Sequence, residues 1–240
     1  EAAVREAAAM FNAHQCDGLI AVGGGSSLDC AKGVAIAATH PGPLVTYATI
    51  EGGSGKITEG AAPLIAVPTT SGTGSEVARG AIVITDDHRK LGFHSWHLLP
   101  RSAICDPELT LGLPPGLTAA TGMDALTHNI ESYLSPVDHP LCDGIALEGL
   151  RIGARALRTA VREPDNLQAR ADMMMSSMMG AIAFQKDLGA VHSCAHALGT
   201  VCDLHHGLAN ALMIEPVMAF NMAVAPQKFA ELAHGVGVSS

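Results

Sequence analysis

The sequence has few charged residues, and basic residues are the scarcer kind. Only 15% of its 240 residues are charged, and 14 Lys and Arg against 23 Asp and Glu give a net charge of −9. No run rich in Lys or Arg offsets that charge. We therefore expect neither nucleic acid nor a membrane surface among its partners.

The six cysteines show no Cys-x-x-Cys spacing, and long apolar runs are missing too. Thiols without a pairing framework are typical of a reducing compartment, so the sequence predicts a cytoplasmic protein. The longest apolar run, residues 173–184, contains Ser176 and Ser177 and is too short to cross a bilayer. No signal peptide is visible. The chain begins inside a helical pattern and stops without a terminating one, so we expect an internal part of a longer protein.

The first part of the chain, residues 1–108, predicts an α/β domain in which apolar strands alternate with helices. Residues 18–22 are wholly apolar, which is typical of a parallel strand covered on both faces. Further strands are predicted at residues 44–47, 63–67 and 102–105, a hairpin at residues 80–85 and 90–94, and helices at residues 2–14 and 28–39.

Two polar turns follow predicted strands of this part. Residues 23–27, Gly-Gly-Gly-Ser-Ser, separate a strand from a helix, where backbone N–H groups and the helix dipole attract phosphate. The spacing differs from Gly-x-Gly-x-x-Gly, and an ordinary tight turn is the alternative. Residues 68–76 carry five hydroxyls and two glycines after a strand, which indicates a ligand-binding loop or a solvated one.

The second part, residues 109–240, predicts an all-helical domain. No alternating strand pattern appears after the Pro114-Pro115 pair. Helical periodicity occurs over residues 118–134, 139–160, 168–184, 189–198, 207–220 and 227–236.

Carboxylate and imidazole side chains cluster in this helical part. His192 and His196 are one turn apart, and upstream Asp124 and His128 repeat this spacing, so each of these two pairs can share a helix face. A second imidazole pair, His205 and His206, follows His196 after one break. A lone helical histidine is usually capped or solvated. The apolar surroundings of this cluster would penalise uncompensated polar groups, and they favour a shared divalent cation. Imidazoles with one oxygen ligand suit zinc or ferrous iron.

Four blocks of the sequence resemble the motifs of the iron-containing (group III) alcohol dehydrogenases. They are residues 23–32 (GGGSSLDCAK), 68–77 (PTTSGTGSEV), 119–128 (AATGMDALTH), and 192–199 with 206–210 (HSCAHALG, HGLAN). The blocks occur in the family's order over nearly the whole chain. The resemblance implies a doubly wound, Rossmann-like nucleotide domain and a helical metal domain. This is a dehydroquinate synthase-like architecture with the active site in a cleft, here without both family termini.

The resemblance also implies roles for individual residues. It implies that the metal ligands are Asp124, His128, His192 and His206, with His205 a mere neighbour, and that His196 lies beside substrate and cofactor. It implies that the cofactor contacts are Gly24, Gly25, Ser26, Asp29, Thr69, Thr70, Thr73 and Lys90. From the residues alone, Asp29 could instead cap the helix, and Lys90 could be a solvated surface charge.

By this resemblance we expect an oxidoreductase that interconverts a primary alcohol and its aldehyde, using Fe²⁺ or Zn²⁺ and NAD or NADP. The cation would lower the pKa of the substrate hydroxyl, and hydride would pass to the nicotinamide. His196 would pass the released proton to solvent. The partners implied are a small alcohol or aldehyde substrate and a second copy in a homodimer.

Two other functions fit parts of the pattern. Dehydroquinate synthase-type lyases share the architecture but need a strongly basic pocket, which residues 119–128 do not supply. The second alternative is a non-catalytic module with a structural metal, although structural zinc sites usually use cysteine. Net formation of reduced nicotinamide from an alcohol would separate the dehydrogenase from both.

Overall fold

Short parallel strands and the helices that follow them build the amino-terminal unit. The computed structural model describes residues 1–238. In chain order the elements here are α1 (Ala2–Ala13), β1 (Leu19–Gly23), α2 (Gly25–Ala37), β2 (Leu64–Pro68), β3 (Gly80–Ile84), β4 (Lys90–His94) and β5 (Ser102–Ala103). The parallel sheet has the order β1-β2-β5, with Leu19 opposite Leu64 and Ile65 opposite Ser102. The predicted helices, hairpin and three of the four other strands are confirmed.

One face of this sheet is packed against α2. Ala21, Leu64 and Ala66 form a small core with Leu28 of the helix. Because strand side chains alternate, Ile20 and Val22 point to the opposite face, where they are 72% and 59% exposed. The expectation that both faces are covered is therefore not met within the described residues.

The predicted strand at residues 44–47 is wrong. Leu44–Tyr47 is a 3₁₀ helix, in which residues three apart lie on one side. Leu44 and Tyr47 are both buried, and the Tyr47 hydroxyl donates to the Pro41 carbonyl at 2.6 Å. The apolar spacing therefore follows a three-residue period rather than the two-residue period of a strand.

The carboxy-terminal unit is built from helices. They are α3 (Pro115–Leu134), α4 (Pro140–Arg162), α5 (Leu167–Ala183), α6 (Ala190–Cys202), α7 (His206–Asn221) and α8 (Pro226–Gly235), as the sequence predicts. α3 packs against α4, α5 and α7, and α6 packs on α7. Ile130, Leu150 and Phe229 lie in the largest apolar core of the unit. α3 also buries many polar side chains, and the predicted ligands Asp124 and His128 are among them.

The two units comprise Glu1–Thr69 with Ser75–Cys105, and Thr70–Gly74 with the described residues from Asp106 on. The sequence predicts a division between residues 108 and 109. The short segment Thr70–Gly74 groups with the helices because Ser71 lines a small cavity with Thr118, Thr121 and Met173. Within residues 1–238, none of the helices combines the length and the apolar character that a membrane span requires.

Candidate metal and nucleotide sites

One face of α3 carries three buried ionisable side chains. Asp124, His128 and Glu131 are spaced by four and three residues, so they lie in one stripe along the helix. They are only 3%, 5% and 4% exposed. Ionisable groups with so little solvent need partners within the fold.

The partners of this stripe come from α6 and α7. His192 is in the first turn of α6, and His206 is the first residue of α7. Asp203, with a left-handed backbone (φ 53°), ends α6, so only three residues connect the two helices. This tight turn brings His192, His206 and Asn210 to the same place opposite α3.

The carboxylate of Asp124 lies at the centre of the cluster. Its Oδ1 is 3.5 Å from Nε2 of His192, 3.5 Å from Nε2 of His206 and 3.7 Å from Nε2 of His128. The ligand atoms of Asp124, His192 and His206 all lie within 4.8 Å of one another, as a single bound cation requires. His128 falls outside that tightest group but stacks on His192, with ring centroids 4.6 Å apart.

His196 lies at the side of the cluster. Its ring centroid is 4.9 Å from that of His206 and 6.5 Å from that of His192. The side chain is half-buried, in contrast to the fully buried His192 and His128. His196 therefore lies beside the predicted ligands with access to solvent.

The charges of the cluster suit a divalent cation. Burial would raise the pKa of Asp124, but the nearby imidazoles hold it well below its usual value, so the carboxylate is ionised. Burial lowers the pKa of His128 to about 4, which leaves that ring neutral and able to ligate. Burial would also lower the pKa of His192, but the nearby carboxylates of Asp124 and Glu131 raise it to about 8. One anionic oxygen among imidazole nitrogens is a donor set that fits zinc or ferrous iron.

The glycine turn of the first unit follows β1. Gly23 has φ +147°, and a Cβ there would lie 2.5 Å from Ser27 Oγ, so the close turn requires glycine. α2 starts at Gly25, and its N-cap, Gly24, leaves the first backbone N–H groups without a side-chain cap. Ser26 is exposed in the first turn. Uncapped N–H groups at a helix start fit a phosphate group.

Thr69 is adjacent to this turn, since its N–H donates to the Gly23 carbonyl at 2.9 Å. Thr70 and Thr73 are half-buried in Thr70–Gly74, the segment that belongs to the helical unit. Lys90 is half-buried at the start of β4. The cofactor contacts predicted for these residues stay predictions.

Asp29 bonds within the first unit. Its Oδ1 accepts from Ser75 Oγ at 2.7 Å and its Oδ2 accepts from the Ile82 N–H at 2.9 Å. Burial raises the pKa of this carboxyl, while the charges of Lys32 and Lys90 oppose the shift. The alternative that Asp29 caps α2 is wrong, because no side chain caps that helix.

Two side chains of the helical cluster are not among the residues predicted from the sequence. Glu131 bonds to His192, and Asn210 donates from Nδ2 to Asp124 Oδ1 at 2.7 Å. Their spacing in the sequence could have indicated them. Glu131 follows Asp124 by seven residues and Asn210 follows His206 by four, so each shares a helix face with a predicted ligand. Neither residue type stands out when histidine spacing is the only criterion.

These features define a class of two-unit proteins: a Rossmann-like unit with a glycine turn, followed by a helical unit with a carboxylate–imidazole cluster. Comparison with known proteins agrees with that class. Residues 1–107 match the model of the iron-containing alcohol dehydrogenases, and residues 118–240 match the model of the carboxy-terminal part of the same family. The chain belongs to the iron-containing alcohol dehydrogenase family.

Individual relatives are closely similar over nearly the whole chain. A 4-hydroxybutyrate dehydrogenase of Cupriavidus necator is 64% identical over 92% of this chain. A crystal structure of a 1,3-propanediol oxidoreductase matches 98% of it with a TM-score of 0.93 and 44% identity. A sulfoacetaldehyde reductase of Bifidobacterium kashiwanohense, solved with NAD⁺, matches 98% with a TM-score of 0.90 and 32% identity. The chain spans 59%, 61% and 62% of the lengths of these three proteins.

Proposed function

We propose that the protein is a metal-dependent oxidoreductase that interconverts a primary alcohol and its aldehyde with NAD or NADP. The observation that carries this proposal is the buried cluster of one carboxylate and three imidazoles, in a chain that belongs to the iron-containing alcohol dehydrogenase family. Within the α/β part, proposed as residues 1–108, the glycine turn supports a nucleotide, and within residues 109–240 the cluster supports a cation.

Asp124, His128, His192 and His206 would hold the cation, which we propose to be Fe²⁺ or Zn²⁺. Asp124 supplies the only negative charge among these four, so a divalent ion held there keeps a net positive charge. When bound, the cation would polarise the oxygen of an alcohol or aldehyde, and the nicotinamide would accept or return the hydride.

The residues of the first unit would bind and orient the dinucleotide. Gly24, Gly25 and Ser26 would donate backbone and hydroxyl hydrogens to the pyrophosphate. Asp29, Thr69, Thr70, Thr73 and Lys90 are the further contacts proposed for the cofactor. The bound NAD⁺ of the related sulfoacetaldehyde reductase structure supports NAD as the first choice.

His196 would move the proton that alcohol oxidation releases. Its half-buried ring next to His206 could take a proton from the substrate side and pass it to water. An unperturbed imidazole titrates near neutral pH, which suits transfer in both directions.

We propose a small primary alcohol or the corresponding aldehyde as the substrate, with terminal hydroxy acids and diols as the first classes to test. The names of the relatives, 4-hydroxybutyrate dehydrogenase and 1,3-propanediol dehydrogenase, support this choice. We further propose a homodimer located in the cytoplasm, which sedimentation and cell fractionation would test.

The decisive experiment combines metal analysis with a substrate panel. Protein purified without oxygen and loaded with Fe²⁺ or Zn²⁺ is mixed with NAD or NADP and with 4-hydroxybutyrate, 1,3-propanediol or ethanol. We expect reduced nicotinamide to accumulate with at least one alcohol and Asp124→Asn to abolish it. Absence of net reduction with every alcohol, in protein containing stoichiometric metal, would contradict the proposal.

A further inference from the structure

Glu131 has no place in the ligand set, yet it is buried directly behind it. The residue lies one turn beyond His128 on the face of α3 that carries Asp124. It is 4% exposed, so its carboxylate has lost nearly all of its water. A buried carboxylate needs several hydrogen-bond donors to remain ionised.

Within residues 1–238, the donors to the Glu131 carboxylate come from the first turn of α6. Oε1 accepts from the Val191 N–H at 2.7 Å, and Oε2 accepts from the His192 N–H at 3.1 Å. Oε2 also lies 2.7 Å from Nδ1 of the His192 ring. Both oxygens of Glu131 therefore accept from backbone N–H groups at the start of a helix, an arrangement that favours the ionised form of a carboxylate.

The start of α6 is shaped to receive this carboxylate. Its N-cap, Gly189, has no side chain that could cap the helix, so Glu131 satisfies two of the free N–H groups from another helix. A Cβ on Gly189 would lie 2.6 Å from Glu131 Oε1. Glycine at this position therefore permits the close approach.

An ionised carboxylate accepts hydrogen bonds and cannot donate them. The hydrogen of the 2.7 Å contact must therefore sit on Nδ1 of His192. A neutral imidazole with its proton on Nδ1 presents a lone pair at Nε2, the atom 3.5 Å from Asp124 Oδ1. Carboxylates that accept from the second nitrogen of a ligand histidine fix its tautomer and orientation.

We propose that Glu131 is a positioning residue of the cation site, which caps α6 and holds the His192 ring with Nδ1 protonated and Nε2 directed at the cation. The inference rests on the proposed metal site, because it requires His192 to be a ligand. It adds a residue that touches neither cation nor substrate and that sets the affinity for the cation.

The test measures Zn²⁺ affinity rather than activity. Chelator-stripped wild-type protein, Glu131→Gln and His192→Ala are titrated with Zn²⁺ against a competing chelator. The Gln oxygen can still accept from a backbone N–H, but its amide NH₂ would donate to Nδ1 and move the ring proton to Nε2. We expect Glu131→Gln to weaken Zn²⁺ binding about 10- to 100-fold.

Asn166→Ala is the matched control for loss of a helix cap. Asn166 Oδ1 accepts from the Ala169 N–H and caps α5 in the same unit. We expect this variant to lower the melting temperature without changing Zn²⁺ affinity. Zn²⁺ affinity that falls equally in both variants would mean that capping alone explains the effect, and would overturn the positioning role.

The outcomes separate the inference from the metal site itself. Wild-type Zn²⁺ affinity in His192→Ala would reject the proposed ligand set. Loss of affinity in His192→Ala together with wild-type affinity in Glu131→Gln would reject only the role of Glu131. If Glu131→Gln does not fold, the nitrogen NMR spectrum of the metal-free wild-type protein decides. At a pH where the ring is neutral we expect the Nδ1–H tautomer of His192, and the Nε2–H tautomer would overturn the inference.

Discussion

Asp124 and the imidazoles around it illustrate why a carboxylate can remain ionised while 3% exposed. His128, His192 and His206 lie within 3.7 Å of its Oδ1, and Asn210 donates a further hydrogen bond. Each partner offsets part of the cost of removing the charge from water. The same arrangement gives a cation one anionic and three neutral donors.

His205 and His206 offer a matched pair of variants. His206 is within 3.5 Å of Asp124, whereas His205 is the exposed N-cap residue of α7. We predict that His206→Ala loses bound metal and that His205→Ala keeps it, as measured by elemental analysis after purification without oxygen. Equal metal content in the two variants would reject the ligand role of His206.

His196 tests the proton path separately from the metal. We predict that His196→Ala retains metal but turns over more slowly, by about 10²-fold, which is the lower range for loss of a general acid–base group. The pH dependence of the rate should lose the ionisation that His196 contributes. A pH profile identical to that of the wild type would contradict the relay.

At this scale the sequence predicts residue types better than their partners. The spacing of Asp124 with His128 shows a shared helix face, and the resemblance adds His192 and His206. The meeting of α3 with α6 and α7 depends on three-dimensional packing, so spacing places Glu131 and Asn210 on the helix faces of Asp124 and His206 but does not show which atoms they contact. The hydrogen bonds of Asp29 were not predictable for a related reason, because its partners, Ser75 and Ile82, lie about 50 residues further along the chain.

At the scale of elements, Lys32 joins α2 to the segment that follows β2. Its Nζ donates to the carbonyls of Ser75, Ala78 and Gly80 at 2.7–2.8 Å, and the side chain has no exposed surface. Lys is rarely fully buried unless its charge is paired. The structure uses its ammonium group to satisfy carbonyls of an irregular segment.

Lys32→Met should therefore destabilise the first unit by about 3–5 kcal/mol, as expected when one partner of a buried charge network is removed. Chemical denaturation followed by the fluorescence of Trp96, the only tryptophan, measures the change. Lys56→Met, at an exposed lysine, is the control and should change stability by less than about 0.5 kcal/mol. Equal effects of the two substitutions would contradict the role of Lys32.

The pH dependence of this difference has a definite sign. Burial lowers the pKa of Lys32 to about 8, while the unfolded chain keeps the ordinary value of 10.5. Between these values the unfolded state binds more protons, so the stability contributed by Lys32 rises with pH. We predict that the stability of wild type relative to Lys32→Met increases from pH 8 to pH 10, and a decrease would contradict the lowered pKa.

The predicted elements match the structure where periodicity is long and regular. All six helices of the carboxy-terminal unit were predictable, because each contains several turns of apolar spacing. The 3₁₀ helix at Leu44–Tyr47 was not, since four residues do not distinguish a period of three from a period of two. The exposed face of β1 was not predictable either. A wholly apolar strand predicts that both of its faces are buried, but it does not show which residues pack against them.

At the scale of the whole molecule, cation binding and folding of the helical unit should be linked. Donors from α3, α6 and α7 meet only in the folded state, so a cation bound there stabilises that state by mass action. We predict that chelation lowers the melting temperature measured by helical circular dichroism and that Zn²⁺ restores it. In His206→Ala the chelator should have no effect, and an equal effect in wild type and variant would contradict the linkage.

Family membership and fold class could be predicted from the order of four sequence blocks across the chain, and the comparisons confirm both. The boundary between the two units was harder to predict from the sequence. The segment Thr70–Gly74 follows a strand of the first unit in sequence but packs with the helices of the second. Packing of this kind leaves no local pattern in hydrophobicity.

The proposed site requires one cation held jointly by α3, α6 and α7. An anomalous-difference map from crystals of the metal-loaded protein, recorded above the absorption edge of that metal, tests this most directly. We predict one peak at about 2.0–2.2 Å from ligand atoms of Asp124, His128, His192 and His206. A peak held by other residues, or stoichiometric metal that gives no peak among these four, would contradict a cation shared by the three helices.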